Sequence, residues 1–178
     1  MRELLSDGVI TLQRYTLQDV DDLHNGALES VAEVYPWLPW CRQGYTREEA
    51  ASWIAAAAKS WDERRNFEFV IRTASGDHVG GAGINSLHEE QPMANLGYWV
   101  RSSQLGKGYA TRAARLLGDF GIHDVKLQRV EIVVAVSNNP SLRVAQKAGA
   151  VREGILRNRI LLHGQPHDAV MHSFIPVP

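Results

Sequence analysis

The stretch from Asn95 to Val136 constrains the fold more than any other part of the chain. Asn95 to Arg101 reads as a strand and runs into Gln104-Leu105-Gly106-Lys107-Gly108-Tyr109-Ala110-Thr111. Behind the glycines, Ala113, Leu116, Leu117 and Phe120 recur on one side of a helix. Val130 and Ile132 to Val136 then form a nearly continuous apolar run, as expected of a strand covered on both faces in parallel pairing. Strand, glycine turn, helix and buried strand make a βαβ unit with parallel strands.

The flanks fill in around that unit. Val9 to Arg14 alternates as a first strand. Thr16-Leu17-Gln18-Asp19 and Thr46-Arg47-Glu48-Glu49 are capping boxes, each opening a helix. The first helix is expected to run to about Leu28. The second carries Ala50, Trp53, Ile54, Ala57 and Trp61 at helical spacing. Between them, Pro36 and Pro39 exclude regular helix. Phe67, Phe69 and Ile71 share one strand face, with Glu68 and Arg72 on the other. Ser75-Gly76-Asp77 is a turn. Val79-Gly80-Gly81-Ala82-Gly83-Ile84 is a strand of small residues, where interior glycines mark a close approach. Ser141 to Ala148 is a short helix closed by Gly149. Two strands follow around His163-Gly164-Gln165-Pro166.

With 178 residues, no repeat and no linker, the chain is expected to be one α/β (α+β) domain over 1–178. The net charge of −1 gives no argument for nucleic acid, and no apolar run is long enough for a membrane. Met1-Arg2-Glu3-Leu4-Leu5-Ser6-Asp7 has acids where a signal peptide needs an apolar stretch. One cysteine, Cys41, fits a reducing compartment, so a cytoplasmic protein is expected. Charge is unevenly spread: residues 1–60 hold 5 basic and 9 acidic side chains, residues 101–160 hold 11 and 4. The basic part would suit an anionic ligand. The acids Asp19, Asp21, Asp22, Glu29 and Glu33 would suit a cationic partner.

A turn leaving a strand for a helix N-terminus offers free N–H groups and the positive end of the helix dipole, which together bind phosphate. Gly106 and Gly108 permit close approach there, and Lys107, Arg112 and Arg115 add positive charge. A Walker loop is excluded because Tyr109 follows Gly108, and a dinucleotide fingerprint because its third glycine is missing.

Leu105 to Thr111 resembles the coenzyme A pyrophosphate loop, [QR]-x-x-G-x-[GA], of the GNAT N-acetyltransferase superfamily. Gly108 and Ala110 match, and Leu105 stands where Gln or Arg is usual. Leu96-Gly97-Tyr98-Trp99, Asn138-Asn139-Pro140-Ser141-Leu142-Arg143-Val144, Lys147-Ala148-Gly149-Ala150-Val151-Arg152-Glu153-Gly154 and Trp37-Leu38-Pro39-Trp40 resemble, in order and spacing, segments of its ribosomal-protein N-acetyltransferase branch. The resemblance implies a mixed, mostly antiparallel central sheet with a splayed parallel strand pair, flanked by helices. It also implies acetyl-CoA as cofactor and direct acetyl transfer to an amine, with a homodimer as the expected assembly.

Carried onto this sequence, the resemblance implies that residues Leu105, Gly106, Lys107, Gly108, Tyr109, Ala110 and Thr111 cradle the pyrophosphate. Val100 N–H meets the acetyl carbonyl, Asn138 the pantetheine arm, and Ser141 the leaving thiolate, although a serine there could equally cap the helix. Tyr35, Trp37 and Trp40 are the expected acceptor wall, and no metal is expected from His163, His167 and His172. The position where the family often has a basic carboxylate holds Asn95, which leaves Glu33, Glu68, Glu89, His88 and Asp168 as candidates. A weak base is better tolerated with a protein α-amine, pKa about 7.7–8.0, than with a lysine, about 10.4. A protein N-terminus, such as that of a ribosomal protein, is therefore the expected acceptor. Alternatives are a small amine (polyamine, antibiotic or amino acid) and a non-catalytic acyl-CoA-binding module.

Overall fold

The computed structural model describes residues 1–88 and 90–176. Its elements are β1 (Leu4–Ser6), β2 (Ile10–Arg14), α1 (Val20–Glu29), α2 (Val31–Val34), α3 (Arg47–Asp62), β3 (Phe67–Thr73), β4 (His78–Asn85), β5 (Met93–Val100), α4 (Tyr109–His123), β6 (Arg129–Ala135), α5 (Asn139–Ala148), β7 (Val151–Leu162) and β8 (Gln165–Phe174). The strands form one sheet in the order β1-β2-β3-β4-β5-β6-β8-β7. Every neighbouring pair is antiparallel except β5 with β6.

Both capping boxes close as expected. The Asp19 carboxylate accepts from Thr16 N–H at 2.7 Å, and Glu49 N–H donates to the Thr46 hydroxyl at 3.1 Å. The first box opens a short 3-10 turn, so α1 itself begins at Val20. Strand β1 was not apparent in the sequence, β5 starts two residues early at Met93, and α5 starts at Asn139 rather than Ser141. Helices α4 and α5 pack on one sheet face over Phe67, Phe69, Ile71, Leu96, Val130 and Ile132. On the other, Leu23, Ala27, Ala50 and Ile54 of α1 and α3 cover Val70 and Trp99. No helix among the described residues is long and apolar enough to cross a membrane.

The parallel pair is short. Met93 to Asn95 lie opposite Arg129 to Glu131, and beyond that the two strands part. The apolar run of β6 is explained mainly by its other neighbour, since Val130 to Ala135 pair antiparallel with Ala169 to Phe174. The far half of β5, Leu96 to Val100, therefore has a partner on one side only, β4.

Candidate active site

The gap between β5 and β6 is lined by backbone. Arg101 N–H donates to Val79 O at 2.8 Å, and the register pairs Gly80 with Val100. In an antiparallel ladder successive residues point their N–H groups to opposite sides. Val100 and Tyr98 thus turn their N–H groups away from β4 and into the gap.

At the end of β5 the chain passes through the glycine loop into α4. Gly106 and Gly108 have φ of +77° and +79°, and a Cβ on either would meet nothing within 4 Å. Glycine is needed here for handedness. Among the described residues no acceptor is present for the N–H groups of residues 106 to 111; the first bond of the helix is Arg112 N–H to Gly108 O. Six consecutive unmatched amides at a helix start suit a diphosphate. Of the basic residues nearby, Arg112 is held by Asp7 at 2.7 Å and Arg115 by Lys147 O, while Lys107 reaches only Gln104.

Across the gap stands the start of α5. Asn138 is its N-cap, accepting from Ser141 N–H at 3.2 Å. Ser141 is therefore not the cap, and its Oγ lies 2.9 Å from the Tyr98 hydroxyl, a bond from β5 to the first turn of α5 across the gap. Burial pushes the Tyr98 phenol up to about 12, so it keeps its proton.

On the α1/α3 face, beside β5, lies a cavity of about 330 Å³ walled by Tyr15, Trp40, Tyr45, Trp53 and Trp99, with Gly81, Gly83 and Gly97 in its floor. Of the expected wall only Trp40 lines it. Trp37 does not, and Tyr35 lies against His163, with ring centroids 4.5 Å apart and planes tilted by 52°. The acids expected to face a cationic partner are instead paired internally: Asp19 and Asp22 with Arg72, Asp21 with Arg47, Glu29 with Arg101, and Glu33 with the Ser102 hydroxyl.

The cavity separates the base candidates. Glu68 lines it, with its carboxylate lying over Gly83 so closely that a Cβ there would overlap it. Burial raises this carboxyl to about 7, while the Asn85 side chain works the other way. Asn85 Oδ1 accepts from Asn95 Nδ2 at 3.0 Å, so Asn95 supports the amide beside Glu68. Glu33 is bound to Ser102, His88 is exposed and takes Gln91 N–H, Asp168 holds Asn158 N–H, and Glu89 lies outside the described residues. The glycine-rich β4 was the sequence signal for this arrangement.

Residues 10–151 match the family described as acetyltransferase (GNAT) domain. The chain is a GNAT acetyltransferase. Bacillus subtilis (strain 168) has a relative named "Probable N-acetyltransferase YjcK", 33% identical over 126 residues, which are 70% of each protein. Among solved structures, one described as "a putative ribosomal-protein-serine acetyltransferase from Vibrio cholerae" is 26% identical, covers 99% of this chain and 100% of that one, and has a TM-score of 0.83. RimJ of Mycobacterium smegmatis in complex with CoA-disulfide is 27% identical, covers 94% and 82%, and has a TM-score of 0.85. This GNAT protein is an N-acetyltransferase that uses acetyl-CoA, and the unmatched amides of the loop fit that cofactor.

Proposed function

We propose that this GNAT enzyme acetylates the N-terminal α-amine of a protein in the cytoplasm, a ribosomal protein being the class named for its Vibrio cholerae relative. The observation that carries this reading is Glu68. A base works best when its pKa lies near the working pH and near that of its partner. A carboxylate at about 7 is matched to an α-amine at about 7.7–8.0 and poorly matched to an alkylamine at about 10.4.

The amides of residues 106 to 111 hold the pyrophosphate, with Leu105 and the aliphatic stem of Lys107 flanking it, and Asn138 faces the pantetheine arm. Bound acetyl-CoA supplies an activated thioester, whose C–S bond breaks as the C–N bond to the amine forms. Val100 N–H, fixed in the gap, stabilises charge developing on the carbonyl oxygen. Glu68 takes the proton from the amine nitrogen. Ser141 Oγ–H donates to the departing sulfur, and the Tyr98 hydroxyl, 2.9 Å from Ser141 Oγ and also within reach of the Ser141 carbonyl, holds Ser141 in place.

The test is thiol release from acetyl-CoA with Ser-, Ala- and Leu-starting peptides, lysine peptides with blocked N-termini, spermidine and aminoglycosides. Turnover of N-terminal peptides supports the reading. Turnover of only lysine, polyamine or aminoglycoside refutes it, and silence throughout would favour a binding role.

A further inference from the structure

The cavity beside Glu68 has a chemical bias that the amine alone does not need. About 330 Å³ far exceeds the room required by an amine bearing a hydroxymethyl or methyl group. Its walls are indole and phenol rings with Leu23 and Leu38. Tyr15 meets Trp53 edge to face at 5.1 Å, and Trp40 meets Trp99 at 5.6 Å. Trp40 and Trp53 are 37% and 40% exposed, so both ring systems have apolar surface left for a ligand to cover. Above Gly97 a Cβ would meet only Asn85 Nδ2, at 4.0 Å, so the floor next to the parted strands is open.

The polar groups are as selective as the apolar ones. Among the described residues no Lys, Arg or His lines the cavity; its carboxyl groups are Glu68 and Glu49, the latter paired with Arg42 at 2.6 Å. A free amino acid brings a carboxylate two bonds from its amine, and here it would meet the Glu68 carboxyl with no cation in the lining to offset it. An acceptor whose carboxyl is masked as an amide brings no such charge. Tyr15 contributes its ring to the wall, while its hydroxyl is buried against Gly81.

We propose that the acceptor's first residue carries a bulky apolar side chain (Met, Leu or Phe) seated among these rings, with its carboxyl masked as an amide so that it brings no anion to Glu68. This rests on the N-terminal reading above and narrows it. Aromatic walls reward such a side chain with apolar burial that Ser or Ala does not provide.

The experiment compares kcat/KM for peptide amides identical except for Met, Leu, Phe, Ser or Ala at the first position, together with phenylalanine, phenylalanine amide and phenethylamine. Met, Leu and Phe peptides are expected to exceed Ser and Ala peptides by at least about 10-fold, the scale of a few methylenes in an apolar pocket. Phenylalanine amide is expected to exceed free phenylalanine by at least about the same factor. In Trp53→Ala the preference for large first residues should shrink to a few-fold. Equal rates for all five peptides would overturn the proposal while leaving the N-terminal reading intact. Turnover of phenethylamine but of no peptide would overturn both, and a preference unmoved in Trp53→Ala would overturn the seat assigned here.

Discussion

The Tyr98 hydroxyl stands 2.9 Å from Ser141 Oγ, joining β5 to the first turn of α5 across the parted strands. The cap of α5 is already supplied by Asn138, so removing the Ser141 hydroxyl leaves the helix start intact. Ser141→Ala is expected to lower kcat by about 100-fold, the usual scale for a lost proton donor, with the KM for acetyl-CoA within a few-fold of the parent. Tyr98→Phe should cost less, about 10-fold, because Tyr98 acts through Ser141. The double variant should be little worse than Ser141→Ala alone, since the two residues form one unit. Additive losses in steady-state kinetics would show that they act separately.

Gly83 gives Glu68 its place. A side chain at Gly83 would overlap the Glu68 carboxylate, and the position has an ordinary strand φ, so alanine is tolerated by the backbone but not by the carboxylate. Gly83→Ala should therefore imitate Glu68→Gln. Both are expected to reduce kcat with the amine by about 100-fold and to remove the acid limb near pH 7 from the pH–rate profile. Equilibrium binding of acetyl-CoA should be unchanged in both. A limb near pH 7 that persists in Glu68→Gln would mean another group titrates.

These particulars show what the sequence could and could not convey. The βαβ unit, both capping boxes and the glycine loop were legible because each depends on neighbours in the chain. β1 is three residues long, too short for periodicity to register, and exists through its pairing with β2. Glu68 stood among five candidate bases, and for a different reason the sequence could not single it out. Glu68 sits on β3 and reaches the site across Gly83 on β4, and nothing local distinguishes it from an exposed strand residue. The early acids looked like a binding surface because their partners, Arg72 and Arg101, come from distant segments. Trp53 looked like core because helical spacing cannot separate a core ring from one lining a cavity.

Two glycines separate strain from function. Gly108 (φ +79°) precedes α4 and Gly149 (φ +96°) closes α5, and a Cβ on either would meet nothing within 4 Å. Alanine at either position should cost about 1–2 kcal/mol of stability through the left-handed backbone alone. Only Gly108 belongs to the amide cradle. Gly108→Ala is thus expected to raise the KM for acetyl-CoA about 10-fold, while Gly149→Ala, at a similar loss in urea denaturation, leaves it unchanged. Equal KM values in the two variants would remove the loop from cofactor binding.

Glu68 and His78 oppose each other in the pH dependence of stability. The Glu68 carboxyl is raised from 4.5 to about 7 by burial, so between those values the folded protein keeps a proton that the unfolded chain has lost. Its contribution is complete below about pH 4.5 and falls as pH rises to 7. His78 is buried with neither ring nitrogen paired among the described residues, and burial lowers it from 6.5 to about 4. There the unfolded chain binds the extra proton, so stability rises with pH across that interval, and His172 is shifted in the same direction. The two slopes partly cancel between pH 4.5 and 6.5. Glu68→Gln removes one of them. Its unfolding free energy, measured by urea at intervals of half a pH unit, should climb through this window more steeply than the parent's, by about 1 kcal/mol per pH unit. His78→Gln should tilt the curve the other way. Parallel curves for the parent and Glu68→Gln would mean that the carboxyl titrates at its ordinary value in the fold, and the role given to it as a base at neutral pH would lose its electrostatic ground.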